Sequence, residues 1–214
     1  MGDFFNPEKG IWAWLSTLVD VCGLSIVWIF LCMPVVTAGP ATAALYYTVV
    51  KCVRRRESGA FGYYFRSFRQ NFKTGVLTVL IVLPAAALFL GGYSVMRWYG
   101  TRLGGTAYLL YVVYYFALFL PAGVLCWLFP LLGRFEYGAG GLFRTAFQLT
   151  IAHLPSTVVV VLLTAQTTVF CIEEWWPVVF MPVIAMLLVS LFFEKIFQRH
   201  SLELSPEQAE EPEE

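Results

Sequence analysis

Charged residues are scarce in this chain of 214 residues, because Asp, Glu, Lys and Arg make up only 13% of it while 59% is hydrophobic. A soluble globular domain carries roughly 25% charged residues, so water is not the main solvent of this chain. The high hydrophobicity excludes an intrinsically disordered protein. The equal numbers of basic and acidic residues, 14 of each, exclude the basic groove of a nucleic-acid-binding protein.

Residues that usually carry chemistry are also few. The five cysteines are spread through apolar segments without a CxxC pair, so neither a zinc site nor a redox pair is predicted. The sequence has no P-loop, no GxGxxG, no HExxH and no GxSxG motif. Asp20 and His153 are isolated ionisable residues. A membrane enzyme that used either of them would have no second catalytic group nearby in the sequence. We therefore expect no cofactor, no metal and no enzymatic activity.

Five long runs without Asp, Glu, Lys or Arg give the layout of the chain. A helix needs about 20 apolar residues to cross a hydrocarbon core about 30 Å thick, and only helices or closed barrels satisfy their backbone groups in lipid. The runs show no alternation of period two, which favours helices over a barrel. They are Val21–Val50, Thr74–Met96, Leu103–Gly133, Leu154–Ile172 and Trp175–Phe193.

The first run contains a break. Pro34, Gly39 and Pro40 interrupt helical geometry within a few residues, so we predict a broken hairpin of two pieces, 12–33 and 41–53. Thr42 is a candidate to cap the broken turns locally. Irregular backbone at membrane depth is tolerated only where protein shields it or where it lines a cavity, so this hairpin should be packed inside the helix bundle.

Loop charges predict the orientation, because cytoplasmic loops retain Lys and Arg. The loop after the first hairpin and the helix that follows it contain a basic cluster, made of Lys51, Arg54, Arg55, Arg56, Arg66, Arg69 and Lys73. The side that carries this cluster and the C-terminus is predicted to be cytoplasmic. If 41–53 crosses the membrane, the chain has six spans with both termini inside. If 41–53 only re-enters from the cytoplasmic face, there are five spans with the N-terminus outside.

The segment before Thr74 has the pattern of an amphipathic helix. Its rings recur at helical spacing, at Phe61, Tyr64, Phe65, Phe68 and Phe72. Arg66, Arg69 and Lys73 fall off that stripe, so the helix is predicted to lie in the cytoplasmic interface with its bases toward anionic headgroups. A docking helix for an acidic partner is the alternative.

The second cytoplasmic loop echoes this segment. Phe143, Arg144, Thr145 and Gln148 correspond to Phe65, Arg66, Ser67 and Gln70. A parallel repeat of interfacial helix and span explains the echo, and so does the ordinary composition of residues beside a membrane.

The sequence thus predicts an all-α integral membrane protein, a polytopic bundle of five to six spans with a broken N-terminal hairpin and a cytoplasmic interfacial amphipathic helix. Residues 1–200 form a single membrane domain, and the acidic stretch 201–214 is predicted to be a disordered cytoplasmic tail. The predicted spans are 12–33, 41–53 as a short or half-span, 75–96, 106–132, 154–172 and 176–193.

Four stretches of the chain resemble one family. FFNPEKGIWAWLSTLVD, LCMPVVTAGPATAALYYTVVKCVRRRE, FRSFRQNFKTG and FPLLGRFEYGAGGLFRTAFQLTIAHLP resemble, in that order, the YesL-like bacterial membrane proteins (domain of unknown function 624). Phe135 and Glu136 depart from the Tyr and Asp expected in the second cytoplasmic loop. The resemblance implies a multi-pass protein of the bacterial plasma membrane that is often associated with carbohydrate uptake, and it supplies no catalytic residues.

Two functions are therefore weighed. The first is a non-enzymatic accessory or assembly partner of a sugar permease or another membrane subunit. The second is a small transporter or channel that uses the broken hairpin, at Pro34, Thr37, Gly39, Pro40 and Thr42, as its site. A homo-oligomer is compatible with both, since glycine and alanine pairs such as Gly91 and Gly92 allow close helix approach. The bilayer itself, with its anionic headgroups, is the remaining expected partner, and nucleic acid is not one.

Overall fold

The structure, a computed structural model, describes residues 7–54, 59–135, 137–174 and 176–207, with backbone alone at 7–18, 21, 53–54 and 198–207. These residues form nine α-helices and no strand. The helices are α1 Pro7–Cys32, α2 Ala38–Thr48, α3 Ala60–Gln70, α4 Phe72–Leu103, α5 Gly105–Ala117, α6 Phe119–Arg134, α7 Ala139–Ala152, α8 Leu154–Glu173 and α9 Met181–Glu207. The prediction of an all-helical chain is confirmed for this part of the protein.

The first apolar run is broken, as predicted. After α1 ends at Cys32, the 3₁₀ helix Val35–Thr37 leads into α2, and the π-helix Val49–Arg54 follows α2. α2 begins at Ala38 rather than at the predicted 41, because Pro40 lies in the first turn of the helix. The first N–H groups of a helix have no intrahelical partner, so a proline costs little there.

Three segments within the described residues are long and apolar enough to cross a membrane. They are Phe72–Leu103, Gly105–Arg134 and Leu154–Glu173, and they coincide with the predicted spans 75–96, 106–132 and 154–172. The second of them consists of α5 and α6, which meet at Leu118. The described residues are accordingly those of a helical membrane protein.

The remaining predicted segments belong to α1, α2 and α9. The segment 12–33 nearly coincides with α1, a helix of 26 residues that ends at Cys32. α2 has 11 residues, which is about 16 Å of helix at 1.5 Å per residue. In the segment 176–193, the 3₁₀ helix Trp176–Val179 precedes α9. α9 continues to Glu207, past the predicted start of the tail at 201, and 208–214 lie outside the described residues.

α2 is the central element of the packing. Most of its side chains are buried, and it contacts α1, α3, α4, α6 and α9. One side of α2, with Ala43 and Tyr46, packs into a cluster with α6, α7 and α9. The other side, with Ala44 and Leu45, packs against α1, α3 and the start of α9. The expectation that the broken hairpin is shielded by protein agrees with this burial.

The outer parts of α4 and α5 expose apolar surface instead. Their side chains at Leu88, Leu90 and Leu109 are among the most exposed in the structure. The two helices pack on each other through tyrosine rings, with Tyr93 against Tyr111 and Tyr115. Such an apolar surface on a helical pair suits contact with lipid chains.

The same order of helices occurs twice. α2 packs on the short helix α3 and the long helix α4 that follow it, and α6 packs on the short helix α7 and the long helix α8. Gly75 near the start of α4 lies close to Pro40 of α2, and Thr157 near the start of α8 lies close to Gly123 of α6. This shared order is what a parallel repeat predicts.

Candidate functional site: the broken hairpin and a buried carboxylate

The apex of the broken hairpin is packed against the beginning of α4. Gly39 and Gly75 are buried, and a Cβ atom on Gly39 would lie 2.6 Å from the carbonyl oxygen of Gly75. A Cβ atom on Gly75 would lie 2.7 Å from Cδ of Pro40. Only glycine permits backbones to approach this closely, so the glycines of the hairpin serve helix packing here.

The polar groups of the hairpin bind to neighbouring parts of the chain. The Thr37 hydroxyl is within hydrogen-bond distance of the carbonyl oxygens of Leu31 and Pro34. The Thr42 hydroxyl donates to the carbonyl oxygen of Ala38 at 2.7 Å and accepts a hydrogen bond from Nε1 of Trp28 at 3.2 Å. The two threonines therefore stabilise the break, which is the local role predicted for Thr42.

A buried carboxylate lies beside α2. The Glu194 side chain is only 2% exposed, and its Oε1 atom accepts a hydrogen bond from the Tyr46 hydroxyl at 3.3 Å. Nε of Arg134 lies 3.6 Å from the same oxygen, and the Arg134 side chain is 29% exposed. An ionised carboxylate is costly to bury unless it is paired, so this contact holds together α2, the last turn of α6 and α9.

Aromatic rings pack next to the carboxylate. The Trp127 ring stacks on Phe193 with centroids 3.8 Å apart, and Phe197 packs edge-on against Trp127 and Tyr46. Nε1 of Trp127 donates to the Thr157 hydroxyl at 3.0 Å. The rings exclude water from this part of the core, which strengthens the electrostatic interactions near them.

Sequence reasoning missed Glu194. It directly follows Phe193, the last residue of the final charge-free run, so it has the position of an ordinary residue at a membrane boundary. The available signal was the apolar sequence on its N-terminal side, LLVSLFF, which puts the carboxylate on a helix with few polar neighbours. Its partners Tyr46 and Arg134 are far away along the chain, and no local spacing connects them.

The predicted basic cluster divides into an inner and an outer part. The Lys51 ammonium lies 5.8 Å from the ring centroids of both Tyr47 and Tyr63, which is a cation–π geometry. Arg66, Arg69 and Lys73 are exposed. Only the backbone of Arg54 is described, and Arg55 and Arg56 lie outside the described residues.

The aromatic stripe of α3 does not face lipid along its whole length, which corrects the prediction. Tyr64 is completely buried, and its hydroxyl donates to the carbonyl oxygen of Ala41 at 3.3 Å. Phe61 lies against Gly23 of α1, although 39% of its surface is exposed. The stripe packs partly on α1 and α2 because these helices have apolar surface of their own to bury. Arg66 and Arg69 line an open groove of about 580 Å³ with Phe65 and Gln70.

Other candidate residues are not brought together. Asp20 lies in α1, whereas His153 lies between α7 and α8. The five cysteines, all half-buried, are free thiols. Among the described residues, no group of three His, Cys, Asp or Glu side chains could hold a metal ion.

Comparison with known proteins gives one match. Residues 21–93 match the family model described as "Protein of unknown function, DUF624". This confirms the resemblance to the YesL-like family, on a segment that contains the broken hairpin, α3 and much of α4. No curated protein and no solved structure matches the chain.

Proposed function

We propose that this membrane protein is a non-enzymatic accessory or assembly subunit of a membrane transport complex. The proposal rests on one observation, which is that the polar groups of the broken hairpin are already bound within the protein. Its threonine hydroxyls bind backbone carbonyls, and Gly39 is in contact with α4. A transporter that used this hairpin as its site would need such groups for substrate or ion.

The proposed partner is a sugar permease, in the plasma membrane of a bacterium. This part of the proposal is supported by the family resemblance, which implies association with carbohydrate uptake. The C-terminus and the basic face of α3 are proposed to lie in the cytoplasm, following the distribution of Lys and Arg.

Exposed charge on α3 provides a contact surface for such a partner. Arg66 and Arg69 stand next to the Phe65 and Gln70 side chains on an open groove. A combination of bases and an aromatic ring suits an acidic segment of a cytoplasmic or membrane subunit.

The test is purification of the tagged protein from its native membrane in a mild detergent at endogenous level, with quantitative mass spectrometry of the retained proteins. We expect a permease or solute-binding subunit at near-stoichiometric amounts. A solitary species would contradict the accessory role.

Two arginine pairs allow a matched control. We expect Arg66→Gln with Arg69→Gln to reduce the recovery of the partner by about tenfold, since two charge-assisted contacts are lost. Arg97→Gln with Arg102→Gln removes the same charge from exposed positions near the far end of α4, and should leave recovery unchanged. Equal losses in both variants would show that the α3 face is not the contact surface.

A small transporter or channel is the second proposal, supported by the break in the helix itself. It is tested by flux of labelled sugars and monovalent cations into proteoliposomes that contain the purified protein. Flux that disappears in Thr37→Val and Thr42→Val variants, with the fold intact by circular dichroism, would favour this function over the accessory role.

A further inference from the structure

A pocket with a polar and an apolar wall lies between the first turn of α8 and the middle of α9. It has a volume of about 430 Å³ and is lined by His153, Ser156, Leu191, Phe192, Lys195 and Ile196. No sequence motif indicates it, because its two walls are far apart along the chain. It is separate from the broken hairpin and from the α3 groove.

The polar wall of this pocket has donors suited to an anion. Lys195 is exposed and contributes an ammonium group, and Ser156 contributes a hydroxyl. In the part of the chain that the structure describes, neither side chain has a hydrogen-bond or ion-pair partner. The adjacent Glu194 does not neutralise Lys195, since its carboxylate is buried and paired with Arg134.

His153 lines the pocket beside Ser156 and is held in place by contacts with the core. Its ring lies 6.4 Å from the ring of Trp127, between centroids, and its carbonyl oxygen accepts hydrogen bonds from the backbone and the hydroxyl of Thr157. Trp127 is itself fixed by stacking on Phe193. The His153 side of the pocket is therefore packed against the ordered aromatic core.

The other wall is apolar and open to the outside. Leu191 is 48% exposed and Phe192 is 37% exposed. Both lie beside α8, which begins at Leu154 and is one of the three helices that can cross a membrane. A pocket at the polar end of a span, with bases on one side and exposed apolar groups on the other, matches an amphiphile with an anionic head.

We propose that this pocket binds the headgroup of an anionic phospholipid, with the phosphate at Lys195 and Ser156 and the acyl chains along Leu191 and Phe192. A free phosphate ion would use the polar wall alone, whereas a lipid uses both walls. The site does not depend on the proposed transport partner, because all of its groups belong to this chain.

The test is native mass spectrometry of the full-length protein in detergent, titrated with phosphatidylglycerol or with phosphatidylcholine of the same acyl chains. We expect one phosphatidylglycerol to bind at least fivefold more tightly than phosphatidylcholine. Lys195→Gln should weaken phosphatidylglycerol binding about fivefold, since one base near an anionic headgroup contributes about that factor. Ser156→Ala should weaken it less, in the same direction.

Arg97→Gln is the matched control, because Arg97 is an exposed base near the end of another span and is not part of the basic cluster. It should change the affinity of this lipid less than twofold. Equal effects of Arg97→Gln and Lys195→Gln would overturn the proposal in favour of diffuse surface charge. Displacement of phosphatidylglycerol by millimolar inorganic phosphate would overturn it in favour of a small-anion site, and equal binding of the two lipids would show that the pocket does not recognise charge.

Discussion

Nε of Arg134 lies 3.6 Å from Oε1 of Glu194, and this contact joins the last turn of α6 to a carboxylate that is almost completely buried. The two partners are not equivalent, because Arg134 reaches solvent with 29% of its side chain while Glu194 is only 2% exposed. Removing the arginine leaves a buried charge without its cation, whereas removing the carboxylate leaves a cation that water can solvate.

Arg134→Ala should therefore destabilise the protein by about 3 kcal/mol, near the low end of the range for breaking a buried pair. Glu194→Gln should cost less, since the amide oxygen still accepts the Tyr46 hydrogen bond and no charge remains buried. Adding Glu194→Gln to Arg134→Ala should restore part of the lost stability. Reversible unfolding in detergent measures the four members of this double-mutant cycle. A double variant less stable than Arg134→Ala alone would contradict the ion-pair explanation.

Gly39→Ala should destabilise the protein by about 1–3 kcal/mol, which is typical of overpacking. The new methyl group would lie 2.6 Å from the Gly75 carbonyl oxygen, so backbone has to move. Gly91→Ala is the control, because nothing lies within 4 Å of a Cβ atom there. It should be neutral, or stabilising by up to about 1 kcal/mol through helix propensity. Thermal unfolding followed by circular dichroism compares the two variants, and equal midpoints would show that the contact with α4 is loose.

Thr37→Val should cost about 1 kcal/mol, the net contribution of a typical hydrogen bond. The substitution keeps the shape of the side chain but removes the hydroxyl that binds the carbonyl oxygens of Leu31 and Pro34. Thr37→Ser keeps the hydroxyl and should retain most of the stability. Hydrogen exchange at 30–40, followed by mass spectrometry, should accelerate in the valine variant alone. Equally fast exchange in the serine variant, which keeps the hydroxyl, would contradict the role of the hydroxyl in stabilising the break.

Tyr64 gives a pH dependence. Burial raises the pKa of Tyr64 well above its usual value, because the ionised form would be desolvated. The folded state thus holds the proton more tightly than the unfolded state, whose tyrosine pKa is about 10. The resulting stability is fully present below that pKa and is lost as the pH rises above it.

Wild-type protein should therefore lose stability between pH 9 and pH 11 more steeply than Tyr64→Phe. Both proteins are also compared at pH 8, where the residue is neutral, so that the cost of the missing hydrogen bond to Ala41 can be subtracted. If both proteins lose stability in parallel as the pH rises, the pKa of Tyr64 is the same in the folded and unfolded states, and the prediction is wrong.

The sequence by itself determined that lipid surrounds much of this chain and that its long apolar runs are helices. Long runs without charge can satisfy their backbone only as helices in lipid, which located the spans that became α4, α5 with α6, and α8. It also located the break after Cys32, because Pro34 disfavours a continuous helix there, although Gly39 and Pro40 lie in the first turn of α2. The basic face of α3 was readable for the same reason, since helical period alone assigns residues to faces.

Tertiary structure decided which polar groups became buried and what they contact. Tyr64 is buried in the protein and does not face lipid, because it packs on α2 and donates a hydrogen bond to a carbonyl oxygen there. Glu194 looks like a boundary residue in the sequence, and only the packing of α2, α6 and α9 gives it Tyr46 and Arg134 as partners. These pairings join residues that are distant along the chain, and local propensity and hydropathy, which depend on near neighbours, contain no information about them.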